Sequence, residues 1–151
     1  QAQRVIGEKQ EWQVADLPTE AEWLDTVEEK LQRASEIRKS LWGEEADREI
    51  EGSLAQLMVP EASDIVDGYN FGEIWARADL EPKERMVCVI AALMARGHMG
   101  HLSKYIGYAL NMGFKEKEIC EVLAQAGWYR GWPLVEDALE QAKAVFDQRG
   151  I

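Results

Sequence analysis

The strongest constraint on this chain is a ten-residue apolar run, Met86 to Ala95, set between Pro82 and Gly97. A helix that is apolar on every side has no solvent face and belongs at the centre of a packed core. Pro82 suits the first turn of such a helix, where its missing N–H is not needed. A bilayer span takes roughly 20 apolar residues, so this run predicts a central core helix and no membrane crossing.

The rest of the chain has to wrap that helix, and its apolar residues recur at the spacing of helices. Leu24, Val27, Leu31, Ala34, Ile37 and Leu41 fall three and four apart, which predicts one face of a long helix ending near Gly43. Thr19-Glu20-Ala21-Glu22 has the pattern of a capping box at its start. Ile50, Leu54 and Leu57 predict a shorter helix that stops before Pro60, and residues 61–76 a further helical stretch. Beyond Gly97, helices are expected over roughly His101–Asn111, Lys115–Gly127 and Pro133–Gln148, with Gly113 placed to cap the first of them. Alternating β-branched strands and hairpin turns are missing. The expected fold is all-α, six or seven helices, without linker or internal repeat.

Charge limits the partners. The chain of 151 residues carries a formal net charge of −11, which argues against a nucleic-acid binder, since that needs a basic face to displace counterions. It equally disfavours docking on an anionic membrane. Gln1-Ala2-Gln3-Arg4 carries no apolar leader core, and the cytoplasm is the expected location. Cys88 and Cys120 both sit in apolar periodic stretches and are expected as small buried hydrophobes; no CxxC occurs to carry dithiol chemistry.

The charge is also uneven. Residues 1–60 hold 14 acidic and 7 basic side chains, whereas residues 85–115 hold no Asp or Glu at all. That acid-free stretch contains Arg85, Arg96, Lys104, Lys115 and the protein's two histidines, His98 and His101. A basic zone in an acidic chain suits a small anionic ligand; it is also what an apolar helix with solvated ends would leave.

Three motifs could carry chemistry. His98, His101 and Tyr105 share a helical stripe if the helix begins near His98. Two imidazoles alone make an incomplete zinc site, with Glu73 the carboxylate that would have to be recruited, so general acid/base work is the better reading. Trp128-Tyr129-Arg130-Gly131-Trp132-Pro133 breaks one helix and opens another; its rings suit a pocket for a flat unsaturated ligand or an interhelical contact. Glu73 and Arg77 stand four apart, the spacing of a surface ion pair, or of a carboxylate available for catalysis if buried.

Together these pieces resemble the carboxymuconolactone decarboxylase family, within the alkylhydroperoxidase D-like superfamily. The resemblance runs from about Leu41-Trp42-Gly43-Glu44-Glu45 to Phe146. It is carried by Tyr69-Asn70-Phe71-Gly72-Glu73-Ile74-Trp75-Ala76-Arg77-Ala78-Asp79-Leu80 with Lys83-Glu84-Arg85, by Ala109-Leu110-Asn111-Met112-Gly113-Phe114 with Glu118-Ile119, and by Tyr129-Arg130-Gly131-Trp132-Pro133. It implies a helical homo-oligomer, often a trimer or hexamer, with sites near subunit contacts. Residues 1–40 would then be an added helical arm and residues 41–151 the family domain.

The activity implied is cofactor-free loss of CO2 from a carboxylated muconolactone. Redox relatives carry a CxxC where this chain has His98 and His101, a His at Tyr105 and a proton-relay Glu at Met86, so peroxidase chemistry is not expected. Decarboxylase relatives also carry His at the Tyr105 position, which points to a related ring substrate. The expectation is a lyase without metal or cofactor acting on a carboxylated unsaturated cyclic acid. His101 would be general acid/base, His98 and Tyr105 orienting donors, and Glu73 a supporting carboxylate. Arg77 or Arg85 would hold the substrate carboxylate, with Tyr129 and Trp132 walling the pocket. The alternatives are an isomerase or cyclase on a related ring, and a non-catalytic oligomeric binding protein of the same fold.

Overall fold

The computed structural model of the protein describes residues 26–151, so the Thr19–Glu22 box and most of the proposed arm lie outside the described residues. Helix α1, Val27–Trp42, opens on a capping box of its own. The Thr26 hydroxyl accepts from the Glu29 N–H at 3.2 Å, and the Glu29 carboxylate accepts from the Thr26 N–H at 2.7 Å. Gly43, at φ +96°, turns the chain into α2, Glu44–Glu51. There follow α3 (Leu54–Met58), α4 (Pro60–Tyr69), a π-helical turn (Asn70–Ile74), α5 (Pro82–Ala95), α6 (Met99–Asn111), α7 (Glu116–Gly127) and α8 (Trp132–Arg149). No strand occurs among the described residues, and the all-α expectation holds.

Two local expectations are corrected. Ile50, Leu54 and Leu57 do not share a helix: Gly52 ends α2, and the Ser53 hydroxyl caps α3 by accepting from the Gln56 N–H at 3.2 Å. Leu54 and Leu57 stay exposed. The residue 61–76 stretch is likewise two elements, because α4 widens into the π turn, where the Trp75 N–H reaches back five residues to the Asn70 carbonyl.

Glycine permits that turn to seat against α1. A Cβ on Gly72 would lie 2.4 Å from the Lys30 carbonyl oxygen, so a side chain would hold the two backbones apart. The Arg33 guanidinium, 3.0 Å from the Gly72 carbonyl oxygen, satisfies a group that the widened turn would otherwise leave free.

The core gathers around α5, which packs against α6, α7 and α8. Met86, Ile90 and Met94, four apart, are fully buried with Leu102, Ile106, Ile119, Leu123 and Ala138. The same helix nevertheless shows an apolar outer face. Val87 and Cys88 are exposed and Cys120 is half-buried, so the all-round burial expected of α5, and of both cysteines, is wrong for the single chain. Three flanking helices cover only part of a cylinder.

A second, aromatic layer lies where α1, the π turn and α6 meet. Trp42 stacks on Tyr108 with ring centroids 4.8 Å apart, and meets Phe71, Trp75 and Tyr105 edge-on at 5.4, 5.2 and 5.8 Å. Its indole N–H points to the Met112 sulfur at 3.3 Å. This layer fixes α6, and therefore the histidine stripe, relative to α1.

Candidate functional site

The stripe begins at the corner between α5 and α6. The His98 N–H donates to the Leu93 carbonyl at 3.0 Å, and the His98 carbonyl accepts the first bond of α6 from Leu102 at 2.9 Å. The Arg96 Nε donates to His98 Nε2 at 3.3 Å. His98 and His101 are both exposed. From 35 residues further along the chain, the Arg130 Nε donates to the Ala95 carbonyl at 2.7 Å, neutralising the end of α5. The acid-free stretch and the aromatic segment, separate in sequence, thus meet at one corner. Trp128 and Trp132 stand beside each other there at 6.2 Å, both open to solvent. Tyr129, 87% exposed, edges an apolar cleft of about 440 Å³ between α5 and α7, lined also by Val87, Ala91, Val122 and Ala126.

Tyr105 turns the other way. One turn beyond His101, its ring enters the aromatic layer against Trp42 and, 5.4 Å away, Tyr108. Burial pushes its hydroxyl up to about 12, the Asp67 carboxylate adds to the rise, and the Arg38 guanidinium opposes it. Tyr105 is therefore a neutral hydrogen-bond donor at any physiological pH.

Glu73 sits in the π turn, half-buried, 3.2 Å from the Lys30 ammonium and 3.8 Å from the Arg33 guanidinium. The ion pair expected with Arg77 does not form. The backbone leaves helical geometry after Ile74, and Arg77 instead faces Asp79 at 3.6 Å on the surface. The Arg85 Nη2 donates to the Arg77 carbonyl at 2.7 Å, which ties the loop to α5. In the single chain the structure groups His98 and His101 at the open corner, Tyr105 in the aromatic layer, and Glu73 against α1. Among the described residues no group of His, Cys, Asp and Glu is placed to hold a metal ion.

Sequence reasoning passed over the most buried charges among the described residues. Arg38 and Asp47 are 3% and 1% exposed and pair at 2.7 Å through Nε and Oδ1. The Ser35 hydroxyl donates to the other Asp47 oxygen at 2.7 Å. The Arg38 guanidinium also lies 5.1 Å from the centre of the Phe71 ring. The signal was present: Ala34, Arg38 and Trp42 recur every four residues, and the first and last of them are buried. A cleft of about 570 Å³ between α2, α6 and α8, lined by Glu45, Glu49, Lys104, Tyr108, Asn111 and Arg149, was equally unforeseen.

The model of the carboxymuconolactone decarboxylase family matches residues 60–144, more than half of the chain. The chain belongs to that family. A relative, the 4-carboxymuconolactone decarboxylase of Acinetobacter baylyi, is 26% identical over 126 residues, covering 82% of this chain and 92% of the relative. An uncharacterised 15.0 kDa protein of Paracoccus denitrificans is 31% identical over 78 residues, 50% of this chain and 58% of that protein. Within the carboxymuconolactone decarboxylase match lie Glu73, Arg77, Arg85, His98, His101, Tyr105, Tyr129 and Trp132; Arg38, Trp42 and Asp47 precede it. Among the described residues no helix is long and apolar enough to cross a membrane.

Proposed function

We propose that this carboxymuconolactone decarboxylase family member is a cofactor-independent lyase that removes CO2 from a carboxylated unsaturated lactone or a related cyclic acid. The observation that carries this reading is the α5–α6 corner. Arg96, His98 and His101 occupy a stretch with no carboxylate of its own, and Arg130 joins them through the Ala95 carbonyl. An anionic ring acid finds counter-charge there, and Trp132 and Tyr129 offer apolar surface for the ring.

The chemistry follows from that setting. When the bond to the carboxylate carbon breaks, its electron pair passes through the enoate to the lactone carbonyl oxygen. A donor near that oxygen, His98, stabilises the dienolate; Tyr105, turned into the aromatic layer, stands outside this corner. His101 in its protonated form then returns a proton to carbon, and its exposure lets it recharge from water. Glu73, held by Lys30 and Arg33, supports the π turn behind the aromatic layer. Isomerisation or cyclisation of a related ring would use the same proton-transfer groups.

The working unit in this proposal is a cytoplasmic homo-oligomer, a trimer or hexamer, built from residues 41–151 with residues 1–40 as an arm. Exposed Leu54, Leu57, Met58, Ile65, Val66 and Tyr69 on α3 and α4, and the Val87 face of α5, support it as surfaces for further copies. The openness of both histidines in the single chain also favours a second reading, a non-catalytic binding protein. His101→Ala separates the two. The lyase reading expects kcat on the ring acid to fall about 100-fold or more with the fold intact, because His101 packs against nothing in the core. Unchanged turnover removes His101 from the chemistry, and no turnover by the native protein on any such acid favours the binding reading.

A further inference from the structure

The cleft between α2, α6 and α8 takes no part in the proposed chemistry, yet it is lined by opposite charges that do not close on each other. α2 supplies Glu45 and Glu49, one turn apart, α6 supplies Lys104 and Tyr108 at the same spacing, and α8 supplies Arg149. Elsewhere facing charges of this chain meet, Lys30 with Glu73 at 3.2 Å and Lys39 with Asp47 at 3.6 Å. Here, among the described residues, the side chains of Glu45 and Lys104 have no ion-pair or hydrogen-bond partner, and Glu49 and Arg149 have no ion-pair partner. The space stays open because α2 packs on α1 while α6 packs on α8. The Tyr108 hydroxyl spans the gap, donating to Glu49 Oε2 at 3.1 Å. Burial and the Glu49 carboxylate hold that hydroxyl far above the usual phenol range, so it remains a donor and leaves Glu49 Oε1 without a protein partner. Arg149 is fixed as well. Its Nη1 donates to Asn111 Oδ1 at 2.9 Å and its Nη2 to the Gly107 carbonyl at 3.5 Å, while Asn111 Nδ2 donates to the Trp42 carbonyl at 2.6 Å. Two of its five N–H groups are used in this way and three are left over.

We propose that this cleft binds a small dipolar molecule of the ω-amino acid class, its ammonium held by Glu45 and Glu49 on α2 and its carboxylate by Lys104 and Arg149 on α6 and α8. The lining selects a dipole because its charges cancel, two carboxylates against two cations. A singly charged ligand gains from one pair and is repelled by the other, and phosphate meets both carboxylates. The charges come from separate helices and are not within ion-pair distance of one another, so a ligand reaches both only if a chain separates its amine from its carboxylate. The volume of about 570 Å³ lies within the roughly 300–1,000 Å³ of small-molecule clefts. Glu45 and Lys104 are exposed, which leaves the cleft reachable, and the fixed Arg149 and Tyr108 need little further ordering on binding. The site uses no residue of the α5–α6 corner and does not rest on the lyase reading.

The probes are 6-aminohexanoate and its two halves, hexanoate and hexylamine, titrated into the full chain at pH 7 and low ionic strength by calorimetry and saturation-transfer NMR. 6-Aminohexanoate is expected to bind saturably, at least fivefold more tightly than either half. Glu45→Gln and Lys104→Met replace exposed side chains and leave the fold unchanged by circular dichroism. Each weakens 6-aminohexanoate about fivefold, the effect of one exposed ion pair, but they differ on the halves. Glu45→Gln leaves hexanoate no weaker, and Lys104→Met leaves hexylamine no weaker, because each removes the contact to one end only. Absence of saturable 6-aminohexanoate binding, equal affinity for the three probes, or variants that shift all three probes alike overturns the site.

Discussion

Removing Asp47 breaks a buried ion pair and strands its partner. In Asp47→Ala, Arg38 remains on α1 at 3% exposure with Nε as well as Nη1 unpartnered, and the Ser35 hydroxyl loses its acceptor. Breaking a buried pair by deleting one partner costs about 3–5 kcal/mol, and a stranded neutral hydroxyl adds about 1 kcal/mol. A domain of this size holds about 5–15 kcal/mol in all, so a large part of its stability goes with one carboxylate. Asp47→Asn keeps an oxygen facing the Arg38 Nε and loses only the charge, so it is expected to cost less than half as much. Urea unfolding followed by circular dichroism, at one fixed protein concentration so that any assembly contributes equally, reads both values. An Asp47→Ala loss below about 1 kcal/mol, the range of surface pairs, would refute the reasoning. So would equal losses for the two variants, because the argument depends on the buried guanidinium keeping an acceptor.

Gly72→Ala places a methyl 2.4 Å from the Lys30 carbonyl, and the helix axis and π turn must part; a loss of about 1–3 kcal/mol is expected from the same urea series, and a neutral result would contradict the close approach. Asp67→Asn works in the opposite direction. Burial raises the Asp67 carboxyl, with Asp64 and Asp47 adding to the rise and Arg38 opposing it. A raised folded value means that the ionised group destabilises the fold once pH exceeds that value, and not below the ordinary carboxylate range. The variant should therefore melt above the native protein at pH 7 and converge with it near pH 3.5, as thermal scans at the two pH values will show; a lower melting temperature at pH 7 contradicts the assignment.

Much of the helix pattern was legible because local signals and packing agree. α6 to α8 begin and end within a residue or two of their Gly, Pro and capping signals. The breaks near Gly52 and Asn70 were not, because each depends on what lies across from it: Ser53 outcompetes continuation of α2, and the π turn exists where Gly72 meets α1. The apolar run of α5 revealed burial without revealing by what, and Val87 and Cys88 on its outer face are exposed. Spacing put His98, His101 and Tyr105 on one stripe, whereas the structure leaves the two histidines exposed and turns Tyr105 inward. A helix advances about 100° per residue, so His101 and Tyr105 differ by about 40°, enough for one to stay in water while the other reaches Trp42. The Arg38–Asp47 pair escaped notice because charged residues are read as surface. Only the reversal at Gly43, which folds α2 back on α1, shuts them in.

The central claim is that this carboxymuconolactone decarboxylase family member performs proton-assisted loss of CO2 at the α5–α6 corner. The direct measurement is release of labelled CO2 from 4-carboxymuconolactone and related ring acids, carrying the label in the carboxylate, by native protein stripped with a chelator. The account predicts enzyme-dependent release that survives the chelator and is lost in His101→Ala. Release that disappears with the chelator, or that proceeds equally well without His101, would contradict it.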